Sequence, residues 1–240
     1  MSTTYKTPTF NTDKRNQIDE TYQTIKGSQF DSVCFGASSI GDYTQIYKTG
    51  TLMLRGSATA WDDLVMPMTI GKAGATVVEW SAWGTSNIYV YKFDSNDEVH
   101  FSFQLPHTWK GTIIYPHVHW CANTGAASPG IGLSAVRWNL ETVWAGLPGG
   151  IWNTNSSTTY WATANVEDPN QQILTNIPLT GINPSTFNQG ASSISSCFIC
   201  RLYRGGVGDT YTTAKIVGVS FDIHYEKDGF GSQTIHEKTY

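Results

Sequence analysis

Charge is scarce in this chain. Asp, Glu, Lys and Arg make up 14% of its 240 residues, against roughly 25% in an ordinary globular domain. Net charge is only −4, and no basic run exceeds Lys14-Arg15. A clustered basic face is what nucleic-acid binding requires, so that class of partner is excluded. No window approaches 18 consecutive apolar residues, which excludes a membrane-spanning helix. The opening residues Met1 to Pro8 lack the apolar core of a secretory signal, so synthesis in the cytoplasm is the expectation. Four cysteines, Cys34, Cys121, Cys197 and Cys200, are too few and too spread for a disulfide framework and read as free thiols. Cys197 and Cys200 match C-x-x-C, but three residues apart on a strand puts the sulfurs on opposite sides.

What is abundant is Thr, Ser, Asn, Gly and aromatic side chains, the last at 13%. Such a polar but weakly charged surface suits close packing of chain against chain. From about residue 75 the sequence reads as strands and turns. Thr76–Trp80, Ile88–Phe93, Val99–Leu105, Ile113–Cys121, Leu133–Val143, Thr158–Val166, Ile194–Leu202 and Ala214–Tyr225 are rich in β-branched and aromatic residues. Turn signals such as Ser95-Asn96-Asp97, Lys110-Gly111 and Gly205-Gly206 separate them. Eight strands in about 150 residues is the pattern of a two-sheet jelly roll or a similar sandwich. The stretch 167–193, with Pro169, Pro178 and Pro184, reads as a long loop or a weak edge region.

The first 55 residues differ. Ile18, Tyr22 and Ile25 recur at i, i+4 and i+7 before Gly27, which predicts a short helix over 12–27. A stripe that thin cannot hold a helix in water without docking on something. Residues 1–55 are therefore expected to form an extended N-terminal arm with one short helix, used for anchoring or subunit exchange. Ile18, Tyr22 and Ile25 are the candidate subunit contacts. Residues 56–240 are expected to form the all-β, jelly-roll-like sandwich.

Three constellations could carry chemistry. His117 and His119 are two apart on a predicted strand, so both rings face one way while Val118 and Trp120 face the other. With His224 as third donor they could hold a metal, as in cupin-like metal-dependent enzymes. The cupin motif needs a Glu shortly after the second His, and Cys121-Ala-Asn-Thr-Gly125 offers no carboxylate. The alternatives are a hydrogen-bonded polar face of the sheet and a pH-responsive contact. Second, Trp138, Trp144, Trp152 and Trp161 crowd one third of the chain, and Trp144 with Trp152 could stack sugars if exposed on a common groove; core packing is the competing account. Third, His100 and His107 lack a companion Ser or Cys in a nucleophile motif and read as surface histidines. Gly130-Ile-Gly-Leu-Ser-Ala135 leads into an alternating, strand-like segment and not the helix a dinucleotide site needs. Asp62-Asp63 reads as a solvated turn. No catalytic residue, metal or cofactor is assigned on these grounds.

Two segments carry a resemblance. Glu98 to Lys110, running into Tyr115-Pro-His-Val-His-Trp120, and the tail Val219 to Ser232 with its Asp222-Ile-His-Tyr-Glu226 core, resemble a family of tailed-bacteriophage virion proteins. The Trp61-Asp-Asp-Leu element up to Pro67 belongs to the same likeness, which spans roughly 60–235 and omits the arm. The resemblance implies a jelly-roll protein on the capsid surface of a virion, a decoration or cement protein that is commonly a homotrimer bound to the major capsid protein. It implies no catalysis. It also implies that the His-x-His strand and the Asp222–Glu226 strand are neighbours. A tail or head fibre domain that binds host glycans is the alternative role.

Overall fold

In the computed structural model, the described residues are 17–19, 24–26, 32–37, 41–47, 50–123, 134–147, 149–152, 157–166, 168, 171–184, 194–212 and 214–231. The chain divides into two compact units, Met1–Ala58 and Thr59–Tyr240.

In the first unit the expected helix is replaced by strands β1 (Gln17–Asp19) and β2 (Thr24–Lys26). They pair antiparallel with Ile18 opposite Ile25. A seven-residue spacing fits two helical turns, and it equally fits two strand residues facing each other across a hairpin. Ile18, Thr24 and Ile25 are β-branched, which tips that ambiguity toward the strand. Tyr22 lies outside the described residues. Strands β3 (Ser32–Ala37), β4 (Asp42–Tyr47) and β5 (Leu52–Arg55) form a separate antiparallel meander, which sequence patterning did not anticipate. Among its described side chains Met53 alone is buried, while Phe35 and Ile46 are 50% and 36% exposed.

The second unit opens with β6 (Ala60–Pro67), a 3-10 turn at Met68–Ile70, β7 (Lys72–Ala73) and β8 (Glu79–Ala82). Eight strands follow: β9 (Tyr89–Phe93), β10 (Glu98–Gln104), β11 (Trp109–Ala122), β12 (Ala135–Ala145), β13 (Thr158–Asn165), β14 (Ile173–Asn176), β15 (Cys197–Arg204) and β16 (Ile216–Lys227). Their pairing is nested: β9 with β16, β10 with β15, β11 with β14, β12 with β13. The two sheets run β13-β12-β15-β10-β7 and β14-β11-β16-β9-β8, with β6 also on β16. That is a long hairpin of four strands per arm wrapped into two sheets, the jelly roll.

Strands β10 and β11 are consecutive in sequence yet lie in different sheets. Strand β14 falls within 167–193 and forms one edge of the six-stranded sheet. Asp62 and Asp63 sit within β6 and not in a turn. The core is aromatic and lies between the sheets. Trp138 of one sheet meets Phe93 and Trp120 of the other at 5.1 and 6.5 Å between ring centres, and Phe101 meets Phe221 at 5.4 Å. Trp120 also donates its indole N–H to Thr175 Oγ1 at 2.9 Å.

Candidate functional site on the outer face of the six-stranded sheet

Strand alternation sends Ile114, Val118 and Trp120 of β11, and Phe221, Ile223 and Tyr225 of β16, into the core, each under 5% exposed. The residues between them must then face outward. Register decides which ones meet. His117 lies opposite Asp222 and Asn176, His119 opposite Ser220 and Leu174, and Tyr115 opposite His224. On the far side of β16, Asp222, His224 and Glu226 lie opposite Val65, Asp63 and Trp61 of β6. These rows line an open cleft of about 650 Å³, bounded by Trp61, Tyr115, His117, His119, Leu174 and Asp222 among others. Between His119 and Trp120 the register shifts, leaving Val219 as the extra residue of a β-bulge. Bulges of this kind re-aim side chains beside functional sites.

At the centre of the face, His119 Nε2 is 3.0 Å and His117 Nε2 3.5 Å from the same oxygen, Asp222 Oδ2. His117 and Asp222 are 7% and 6% exposed. Each ring has an outer partner as well. His117 Nδ1 is 3.2 Å from the Tyr115 carbonyl, and His119 Nδ1 is 2.7 Å from Gln172 Nε2. Asp222 Oδ1 is buried and has no hydrogen-bond partner among the described residues. Burial by itself disfavours the charged form of His117. The bonds to Asp222 and to the Tyr115 carbonyl, with the charges of Asp222 and Asp63, outweigh it and hold the imidazole pKa above its ordinary value. Two imidazoles and one carboxylate so placed can share protons or bind a cation.

His224 does not join them. Its ring packs on Trp61 at 4.7 Å and lies 6.5 Å from the His117 ring. The third donor is Asp222, two residues earlier, because direct pairing sets Asp222 and not His224 opposite His117. The β11–β16 pairing itself agrees with the neighbouring strands that the resemblance implied.

Trp144 is 4% exposed, in the core beside Trp109, so it cannot stack a sugar with Trp152, which is 37% exposed. Trp138 and Trp144 share the inward parity of β12 with Val136 and Leu140, a signal visible in the alternation. Trp161 is exposed, with the Arg137 guanidinium 4.3 Å above its ring. His107 does find a serine, Ser195 Oγ at 2.7 Å, but Ser195 is 3% exposed and so is shielded from any substrate. The cysteines are free, with Cys121 and Cys200 buried and Cys34 exposed. Asp62 bonds Lys227 Nζ at 2.9 Å, and Asp63 turns the other way into the cleft. Trp61, Tyr115, Asn176 and Gln172 were not expected at a site, since only pairing between distant strands brings them there.

The strand order and nesting define the class: a jelly-roll β-sandwich. No family model matches the chain, and no curated protein matches it. Among solved structures, the CBM36-1 domain of a multidomain xylanase from the hindgut metagenome of Trinervitermes trinervoides is similar at 10% identity and TM-score 0.37, over 72% of this chain and 100% of that one. A structure of infectious bursal disease virus, Gx strain, is similar at 9% identity and TM-score 0.33, over 81% of this chain and 43% of that one. The unassembled VP1 pentamer of Merkel Cell Polyomavirus is similar at 11% identity and TM-score 0.26, over 75% and 98%. Likenesses this distant carry no argument about role.

Proposed function

We propose that this chain is a non-enzymatic structural protein of a bacteriophage virion, a capsid decoration protein that works as a homotrimer bound to the major capsid protein. The observation that carries the reading is the N-terminal unit. A three-stranded sheet needs an apolar face packed on something to be stable in water. Here the described side chains bury only Met53 and leave Phe35 and Ile46 exposed. A segment built that way gains its stability by covering those side chains with another surface, at about 25 cal/mol per Å² of apolar area removed from water. The low charge of the chain supports the same reading, because few ions must be stripped of water when copies pack together. Such a surface fits a closed oligomer with exchanged segments and many modest contacts to a lattice.

Deleting residues 1–58 tests it. The remaining jelly roll stays folded by circular dichroism, sediments as a monomer and no longer binds capsids. A trimer that survives the deletion, or absence of the protein from purified virions by mass spectrometry, refutes the proposal.

A further inference from the structure

We propose that His117, His119 and Asp222 form a binding site for one divalent transition-metal ion of the zinc class, clipping β11 to β16 at the centre of the outer sheet face. The inference is independent of the virion role and rests on four observations.

The first is spacing. Two donors at zinc-ligand distance from one ion, set at the tetrahedral angle, are about 3.3 Å apart. The two imidazole nitrogens lie 3.0 and 3.5 Å from Asp222 Oδ2, and all three donor atoms fall within 4.8 Å of one another. Both nitrogen–oxygen pairs match that separation to within a few tenths of an ångström, and an ion seated among the three donors draws the two imidazole nitrogens together. The second is the direction of the rings. Metal-bound histidines turn their other nitrogen to an outer partner that fixes the ring. His117 Nδ1 does so with the Tyr115 carbonyl. His119 Nδ1 does so with Gln172, whose amide, turned over so that its oxygen takes the place of its nitrogen, accepts the Nδ1 proton and frees Nε2 to ligate.

The third is the carboxylate. If the cluster were only a hydrogen-bonded network, the two rings would be best served by one oxygen each. Instead both aim at Oδ2, and Oδ1 is left buried without a partner among the described residues. One oxygen at the focus of two imidazole nitrogens is the arrangement of a monodentate ligand. The fourth is access. The donors are largely buried, yet the cleft above them is open between Trp61, Leu174 and Asn176, so an ion can enter and complete its coordination with water. Two imidazoles with one carboxylate favour zinc, iron, nickel or copper over magnesium or calcium, which prefer oxygen alone.

The test uses the full-length, tag-free protein carrying Cys34→Ser, since an exposed thiol also binds zinc. After dialysis against chelator, zinc chloride is titrated by calorimetry, and cobalt chloride is added in parallel as a visible-absorption probe. The expected result is one equivalent bound, with cobalt bands in the visible and an upward shift of the thermal midpoint on zinc addition. Asp222→Asn and His119→Gln weaken binding at least about tenfold, the scale of a disrupted metal site, while His224→Gln leaves it unchanged. If Asp222→Asn fails to fold, His119→Gln decides, because that ring lies nearer the surface. Absence of saturable zinc uptake, uptake unchanged by His119→Gln, or loss of binding in His224→Gln overturns the proposal.

Discussion

Arg204 offers the most demanding check on the physical account of the sandwich. It ends β15 with a side chain 2% exposed, paired with Asp209, whose side chain is 5% exposed. The guanidinium grips both carboxylate oxygens, Nε to Oδ2 at 2.9 Å and one terminal nitrogen to Oδ1 at 3.1 Å. The other terminal nitrogen donates to the Phe93 carbonyl of β9 at 3.1 Å and to the Ala214 carbonyl at 3.4 Å, and the Tyr211 carbonyl takes a further bond. One buried cation therefore joins β15, β9 and the loop leading to β16. Replacing it by methionine keeps much of the volume but takes the guanidinium from three carbonyls and from the Asp209 carboxylate, which keeps only the Arg137 N–H at 3.4 Å. Breaking a buried pair on one side costs about 3–5 kcal/mol. For a unit of this size, each kcal/mol lowers the melting temperature by roughly 2–4 °C. Arg204→Met is expected to melt roughly 6–20 °C below the parent, followed by circular dichroism at neutral pH. Arg204→Met with Asp209→Asn recovers part of the loss, because no buried charge is then left alone. A single variant melting within about 2 °C of the parent would refute the assignment of Arg204 as the fastener of this end of the sandwich.

Two further expectations concern titration. Burial pushes the Glu98 carboxyl up, but its bond to Arg201, the Ala75 N–H at 2.7 Å and the nearby positive charges prevail and hold it below its usual value of 4.5. A carboxyl depressed in the folded state stabilises above its unfolded pKa, and the contribution fades as pH falls through the folded pKa. Urea midpoints measured from about pH 5 to pH 3 should therefore fall less steeply in Glu98→Gln than in the parent, and parallel slopes would discard the idea. Burial also raises the Cys121 thiol to about 11 and the Cys200 thiol to about 12, so almost no thiolate forms at either near neutrality. A thiol reagent should label exposed Cys34 quickly, and reach Cys121 and Cys200 only after denaturant is added. Equal native rates at all three would contradict their placement.

Much of the architecture was legible residue by residue. Alternation marked the strands and sorted their faces, so Val118 and Trp120 were separable from His117 and His119 without coordinates. The helix over Ile18, Tyr22 and Ile25 failed because a seven-residue repeat serves a hairpin as well as a helix, and strand parity on β12 already argued that Trp144 points inward. Strand β6 escaped because its Asp62-Asp63 pair imitates a turn, while for 167–193 the prolines left loop and weak edge both open, and β14 takes the edge.

Parity is local: a side chain's face follows from its neighbours two residues away, and the chain carries that information in its own order. Partnership is not local. His117 meets Asp222 across 104 intervening positions, and Trp61 joins the same face from farther still. Apart from proline, the backbone hydrogen bonds that set those rows are chemically alike at every residue. Only the burial of the whole aromatic core between two sheets selects one register among the many that the strands could adopt.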